Sequence, residues 1–152
     1  VGNMDWLSGS WIEERFKNNG EPFTINLNVM RNQMKPKDPL RDKSFSFAVR
    51  IVKLYKILTQ ERKEFIISKQ LMRSGTNPGA MVREARNAES GKDFIHKFGI
   101  AQKETGESMY WLKLLKATNY INQEEFDSIY NDAEEILKIL TSSLKTKKKN
   151  LN

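Results

Sequence analysis

The chain has 152 residues, 38% of them apolar and 30% charged, a composition that predicts one soluble globular domain with a sizeable core. Its formal net charge of +7 favours an anionic partner such as nucleic acid, a membrane surface or an acidic protein. The absence of cysteine excludes disulfides and thiolate metal sites. No apolar run is long enough to span a membrane and residues 1–20 lack a signal-peptide pattern, so we expect a cytoplasmic protein with no membrane partner.

Residues 1–39 are predicted to be an N-terminal extension and linker. The segment 5–19 has the apolar spacing of a short amphipathic helix, and the segment 23–29 alternates apolar and polar residues as a strand does. A lone strand cannot satisfy its backbone hydrogen bonds, so this strand needs a partner strand or stays extended.

The segment 34–39 contains two prolines and is predicted to be the linker itself, because proline opposes helix and favours extended backbone before it. Residues 1–33 hold four acidic and three basic residues, a charge of −1, so the positive surplus lies downstream. Met34 is an alternative natural start, in which case the preceding residues are a fusion or an upstream extension.

The first predicted helix begins at Asp42 and ends at Gln60. Polar residues recur along it at spacings of three and four, opposite a continuous apolar side. Arg50, Lys53 and Lys56 lie on the polar side and form a basic ridge. Such a ridge is more often a solvated face than a binding surface.

The second predicted helix begins near Glu64 and contains the segment 73–85, which is rich in small residues. Gly75 and Gly79 are spaced to let a neighbouring helix approach closely. Pro78 lies inside this helix, where it removes one backbone hydrogen bond and clashes with the preceding turn. We therefore expect a kink at Pro78.

The third predicted helix starts after Ser90, which has the form of an N-cap, with Asp93 placed to return the hydrogen bond. A small and polar middle section separates its two apolar halves. Glu104 and Glu107 lie in that section, and in an antiparallel packing either could pair with an arginine of the second helix, Arg73 or Arg83. Of these two arginines, Arg73 is the better candidate for such a register-setting pair.

The fourth predicted helix has Asn122 as N-cap and Glu125 completing a capping box, followed by an apolar stripe at near-heptad spacing. Four helices with short connections predict an all-α, antiparallel up-down-up-down four-helix bundle. We assign the bundle to residues 40–146 and a basic tail to residues 147–152.

The sequence lacks the residues that most enzyme sites need. His96 is the single histidine, and it is more often a structural than a catalytic residue in such a setting. The Glu-x-x-His signature of di-metal bundles does not occur, and neither does a glycine-rich phosphate loop after a strand. We therefore expect a protein that is not an enzyme, with no catalytic residues, metal or cofactor.

Several short segments of the helical body resemble a known family, the four-helix-bundle proteins encoded in intervening sequences of bacterial 23S rRNA genes. The resemblance covers residues 34–140, most of the body. Its most specific elements are Arg-Ser-Gly-Thr at 73–76 and Arg-Glu-Ala at 83–85. The supporting segments are Pro39 to Ser44, Phe47 to Val52, Asp93 to Ile95 and Tyr110 to Leu112.

The resemblance implies assembly into a homopentameric barrel. It also implies kinship with the accessory variability determinant of diversity-generating retroelements, a basic barrel that works with a reverse transcriptase and nucleic acid. Two features depart from the family pattern. Pro78 stands where many relatives have an ordinary helix former, and the first 33 residues have no counterpart.

Two functions from different classes fit these observations. The leading hypothesis is a non-catalytic basic scaffold that binds RNA or DNA through phosphate contacts, as accessory to a reverse transcriptase or a ribonucleoprotein. The predicted contact residues are Arg50, Lys53, Lys56, Arg83, Arg86, Lys92 and Lys97. The alternative is a protein-interaction adaptor that uses Trp6, Trp11 and Phe16 as apolar anchors. A toxin-like or nuclease subunit is disfavoured because a general base is missing.

Overall fold

A computed structural model describes residues 38–151 of the chain. The predicted helix at 5–19 and the predicted strand at 23–29 lie outside the described residues, and the boundary of the N-terminal extension stays a prediction. The described part is all-helical, which confirms the predicted fold class. Its four helices are α1 (Pro39–Gln60), α2 (Ile67–Glu84), α3 (Gly91–Ala117) and α4 (Gln123–Lys149), with a 3₁₀ turn at Ala85–Asn87.

The helices form a ring in which each packs on its neighbours in chain order. Helix α1 packs on α2 and α4, and α3 packs on α2 and α4, whereas the backbones of the diagonal pairs do not approach each other closely within the described residues. Cross-helix pairs fix the directions, since Arg50 of α1 bonds Asp132 of α4 while Lys43, two turns earlier, bonds Glu135. The bundle is therefore antiparallel, with up-down-up-down topology.

Helix α1 begins three residues earlier than its periodicity predicts. Asp38 is the N-cap, and its side chain accepts a hydrogen bond of 3.1 Å from the backbone N–H of Arg41. Pro39 is the first helical residue, a position where the missing N–H costs nothing and the fixed φ suits the helix. The interpretation of Pro39 as linker was wrong, because Asp-Pro here is a helix start.

Helix α2 begins at Ile67 rather than near Glu64, and Glu64 acts as its cap from outside. The carboxylate of this buried residue accepts the backbone N–H groups of Ile66, Ile67 and Ser68 at 3.0, 2.8 and 2.6 Å. Burial opposes ionisation, but these N–H groups outweigh it and hold the pKa of Glu64 below its usual value. The Glu64 carboxylate thereby satisfies the first backbone N–H groups of α2, a helix that lacks an ordinary N-cap side chain.

The small residues of α2 lie against α1, as the sequence predicts. A Cβ on Gly75 would lie 2.7 Å from Cγ1 of Ile51, and one on Gly79 would lie 3.3 Å from the carbonyl oxygen of Ser44. Pro78 is fully buried beside them, and α2 continues through it to Glu84. The two glycines thus allow α1 and α2 to approach each other closely around a proline.

The starts of α3 and α4 are capped by the predicted residues. Ser90 accepts the N–H of Asp93 at 3.1 Å, although the Asp93 carboxylate accepts from Glu89 N–H instead of from Ser90. Asn122 and Glu125 form both hydrogen bonds of the capping box, each 2.8 Å long. Helix α4 runs through Lys149, so the first three residues of the predicted tail are helical.

Candidate nucleic-acid interface

The positive charge of the described residues is concentrated at one end of the bundle, where α1 and α3 begin and α2 and α4 end. We call residues 38–43, 83–97 and 145–151 the basic end. They contain ten lysines and arginines against five acidic residues, whereas the rest of the described chain has eleven against ten. Nearly all of the surplus therefore lies on one surface, where cations from several helices add their fields.

Side-chain contacts bring these helix ends together. A Cβ on Gly91 at the start of α3 would lie 2.9 Å from the side chain of Leu151, just after α4. The ammonium of Lys147 lies 5.3 Å from the ring centroid of Phe94, a cation–π distance. Arg86, after α2, bonds the carboxylate of Asp38 before α1. The three segments of the basic end are thus adjacent in space.

The predicted basic ridge on α1 lies outside the basic end. Two of its three cations are bonded to α4 or half-buried. Arg50 bonds the Asp132 carboxylate and donates to the carbonyl and hydroxyl oxygens of Ser128, at 3.0 and 2.6 Å. Lys53 is half-buried, and burial, with the charge of Arg50 beside it, lowers its pKa below the usual value. Only Lys56 is exposed and forms no ion pair within the described part of the chain.

The other predicted contact residues all lie in the basic end. Arg83 is exposed, with its guanidinium 5.5 Å from the ring centroid of Phe45. Arg86 pairs with Asp38 and remains 45% exposed. Lys97 is 3.7 Å from Glu84 and 3.6 Å from Asp93, which neutralise it. Lys92 is exposed and has no carboxylate partner among residues 38–151.

Sequence reasoning gave too little weight to the end of α4. Lys145, Lys148 and Lys149 are exposed and form no ion pair with any described residue. The run of lysines was visible in the sequence, but its position beside the start of α3 was not. Among residues 38–151, the exposed cations of this end that form no ion pair are therefore Arg83, Lys92 and the three α4 lysines, whereas Arg41 and Lys147 form none either but are half-buried.

A layer of polar residues joins α2 to α3 in the middle of the bundle. Arg73 donates to Glu107 at 2.8 Å, as predicted, and the buried hydroxyls of Ser74 and Ser108 lie 3.2 Å apart. Glu104 is only 5% exposed, and its Oε2 has no hydrogen-bond partner among the residues that the structure describes. Arg73 therefore pairs with Glu107 across α2 and α3, whereas Glu104 does not take part in this pair.

Among residues 38–151, no group of three or more acidic or histidine side chains is placed to hold a metal ion. In the same part of the chain, none of the helices combines the length and apolar character that crossing a bilayer requires.

The fold and the surface define the class as an antiparallel four-helix bundle with a cationic end. The model of the 23S rRNA-intervening sequence protein family matches residues 39–142, and the chain belongs to this family. A solved structure supports the assignment: a protein of unknown function from the S23 ribosomal protein family of Bacteroides thetaiotaomicron is 56% identical, with a TM-score of 0.69. The match covers 70% of this chain and 98% of that one. No curated protein matches the chain.

Proposed function

We propose that this protein is a non-catalytic scaffold that binds nucleic acid through the basic end of the bundle. The observation that carries the proposal is the excess of ten cations over five carboxylates at that end, with electroneutrality almost reached elsewhere. A cluster of exposed, unpaired lysines suits phosphates, because each contact releases condensed counterions from the nucleic acid. Lysine makes such contacts as a point charge and reads little sequence.

The proposed contact surface does not consist of the same residues as the set predicted from the sequence. Arg83, Arg86 and Lys92 are kept, and the α4 lysines are added. Arg50 is removed because Asp132 and Ser128 already occupy its guanidinium. Lys97 is removed because two carboxylates lie beside it. The half-buried Lys53 and the distant Lys56 contribute at most to a secondary site.

The competing interpretation of the lysines is structural. Cations in the last turn of a helix stabilise its C-terminus, typically by about 0.3–1 kcal/mol each. That effect explains lysines near the end of α4, but it does not explain Lys92, which lies in the first turn of α3, where a cation is unfavourable. The concentration of charge from both kinds of helix end favours an external anionic partner.

Family membership supports the proposal through its name, which refers to sequences within 23S rRNA. Assembly into a homopentamer follows from the resemblance alone and is part of the proposal, since a repeated cationic end would act multivalently. Kinship with the accessory variability determinant of diversity-generating retroelements, a reverse-transcriptase partner, absence of catalysis and a cytoplasmic location stay predictions.

The experiment is to titrate the protein with structured RNA and with duplex DNA at several salt concentrations. We expect log K to fall linearly with log salt, with a slope of about −0.9 for each phosphate contact. An affinity that does not change with salt would contradict the proposed phosphate contacts.

Removal of residues 1–37 separates this function from the adaptor hypothesis. The solved relative consists almost entirely of the part that matches this chain, so the bundle is expected to fold without the N-terminal segment. Nucleic-acid binding should survive the truncation, whereas capture of a protein partner through Trp6, Trp11 and Phe16 should be lost. Loss of RNA binding on truncation would show that the interface lies in the N-terminal segment.

A further inference from the structure

A shallow groove of about 270 Å³ lies between the first half of α3 and the last turns of α4. Its floor is apolar and consists of Ile95, Gly99, Ile100 and Leu144. No atom of a neighbouring element lies within 4 Å of the position that a Cβ on Gly99 would take, so the groove is open above this glycine. The volume is just below the range of about 300–1,000 Å³ typical of whole-ligand pockets, and it suits a single ring system.

The rim of the groove carries two ammonium groups. Lys103 and Lys148 line it together with His96, all three are exposed, and none of its described lining residues is acidic. A hydrogen bond of 2.8 Å from Gln102 to Thr141 holds α3 and α4 together along one side. An apolar floor with ammonium groups on both sides suits a ligand with a flat, weakly polar face and flanking negative charges.

A second hollow, at the opposite end of the bundle, lacks this character. It has a volume of about 340 Å³ and is lined by the side chains of Arg62 and Glu125, with Tyr120 and two asparagines. The guanidinium of Arg62 bonds both oxygens of the Glu125 carboxylate, at 3.0 and 2.6 Å. A carboxylate held in place there opposes an anion, so the groove between α3 and α4 is the better match for a nucleotide.

We infer that the groove receives an unstacked base of single-stranded nucleic acid, while Lys103 and Lys148 contact the adjacent phosphates. The inference rests on the proposed function and specifies its ligand. Every base has a face that packs on apolar or aromatic surface, and such contacts are tolerant of sequence. In a duplex these faces are stacked on neighbouring base pairs, so the floor of the groove would have no partner. Single strands are therefore preferred over duplexes.

Gly99 and Gly106 of α3 provide a matched test. Gly99→Leu fills the groove without changing the charge, whereas Gly106→Leu adds the same side chain at an exposed position on α3 outside the groove, where a Cβ also meets no neighbour. Both substitutions replace a helical glycine and should preserve the fold, which thermal unfolding checks. The probes are one fluorescent single-stranded oligoribonucleotide and the duplex made from it, at constant salt.

We expect the wild-type protein to bind the single strand more tightly than the duplex. Gly99→Leu should weaken single-strand binding by about fivefold or more and leave duplex binding unchanged, and Gly106→Leu should change neither. His96→Ala is a second variant at the rim, and it should weaken the same single-strand preference.

Three results would overturn the inference, and they are distinguishable. Equal binding of single strand and duplex that is unaffected by Gly99→Leu removes the groove from the interface but leaves the proposed function standing. No binding of either RNA removes the proposed function and the inference with it. A change in oligomeric mass on Gly99→Leu alone, measured by light scattering, would show that the groove is a contact between copies of the chain.

Discussion

The Glu107 carboxylate on α3 accepts hydrogen bonds from two side chains: 2.8 Å from the guanidinium of Arg73 on α2, and 3.2 Å from the indole N–H of Trp111 one turn away. The neighbouring Glu104 is more deeply buried, yet within residues 38–151 one of its oxygens has no hydrogen-bond partner. Two carboxylates three residues apart on one helix thus have opposite environments. They should have opposite effects on stability.

The contrast predicts that neutralising the two carboxylates changes stability in opposite directions. Glu104→Gln should raise the free energy of unfolding by about 1 kcal/mol or more, because a buried carboxylate oxygen that accepts no hydrogen bond is replaced by part of a neutral amide. Glu107→Gln should lower it by about 1 kcal/mol or less, since the arginine partner is mostly exposed. Urea unfolding of both variants measures the difference. Destabilisation by Glu104→Gln would contradict the unpaired state of that carboxylate.

A double-mutant cycle isolates the pair between Arg73 and Glu107. The Arg73 side chain is 61% exposed, so we expect a coupling energy of about 0.2–1 kcal/mol that decreases as salt is added. The cycle consists of the two alanine variants and their combination. A coupling energy that is independent of salt would show that the pair is not screened by solvent.

The close approach of α2 to α1 predicts that Gly75 does not tolerate a methyl group. Gly75→Ala places a Cβ 2.7 Å from Cγ1 of Ile51 and should destabilise the protein by about 1–3 kcal/mol, because Ile51 is fully buried and has little room to move. Gly106→Ala is the control, since its Cβ meets no neighbour and alanine favours helix by about 1 kcal/mol. If Gly75→Ala left the free energy of unfolding unchanged, α1 would have to move away from α2 at little cost.

Glu64 predicts a pH dependence of stability. Its pKa is lowered in the folded state, so its contribution is present above the unfolded-state pKa, about 4.3, and is lost as the pH falls through the folded-state pKa. Glu64→Gln should therefore destabilise the protein by about 1 kcal/mol at neutral pH and reduce the loss of stability on acidification. The exposed Glu89→Gln is the control in thermal unfolding at several pH values. Identical pH profiles for wild type and Glu64→Gln would contradict the capping role.

The helices and their order were predictable because local signals agree with the packing. The structure contains the predicted capping box at Asn122 and the predicted N-cap at Ser90. It also contains the predicted apolar stripes. The starts of α1 and α2 were not predicted. Asp38-Pro39 has the form of a helix start, but the neighbouring Pro36 favoured a linker, and Glu64 caps a helix that begins three residues later, outside the usual pattern.

The candidate interface was only half predictable. The cations along α1 predicted a basic ridge. Whether a cation is available to bind a partner depends, however, on residues that are far away in sequence. Asp132, which bonds Arg50, is 82 residues away. The lysines at the end of α4 gained importance only when the fold placed them beside α3. For Arg50 and the α4 lysines the charge was visible in the sequence, but the partner of the one and the surroundings of the others were not.

The most direct test of the central proposal compares charge reversal at the two ends of the bundle. One variant carries Lys92→Glu, Lys148→Glu and Lys149→Glu in the basic end; the other carries Lys63→Glu, Lys69→Glu and Lys113→Glu, which are also exposed but lie outside it. Both change the net charge equally. Affinity for RNA is measured against salt concentration, with thermal unfolding as the check on folding.

We predict that the basic-end variant loses most of its RNA affinity and that its salt dependence falls by the equivalent of about three phosphate contacts, a change of roughly 2.7 in slope. The other variant should stay close to wild type. Equal loss in both variants would show that net charge alone governs binding, and that result would contradict a nucleic-acid interface at the basic end.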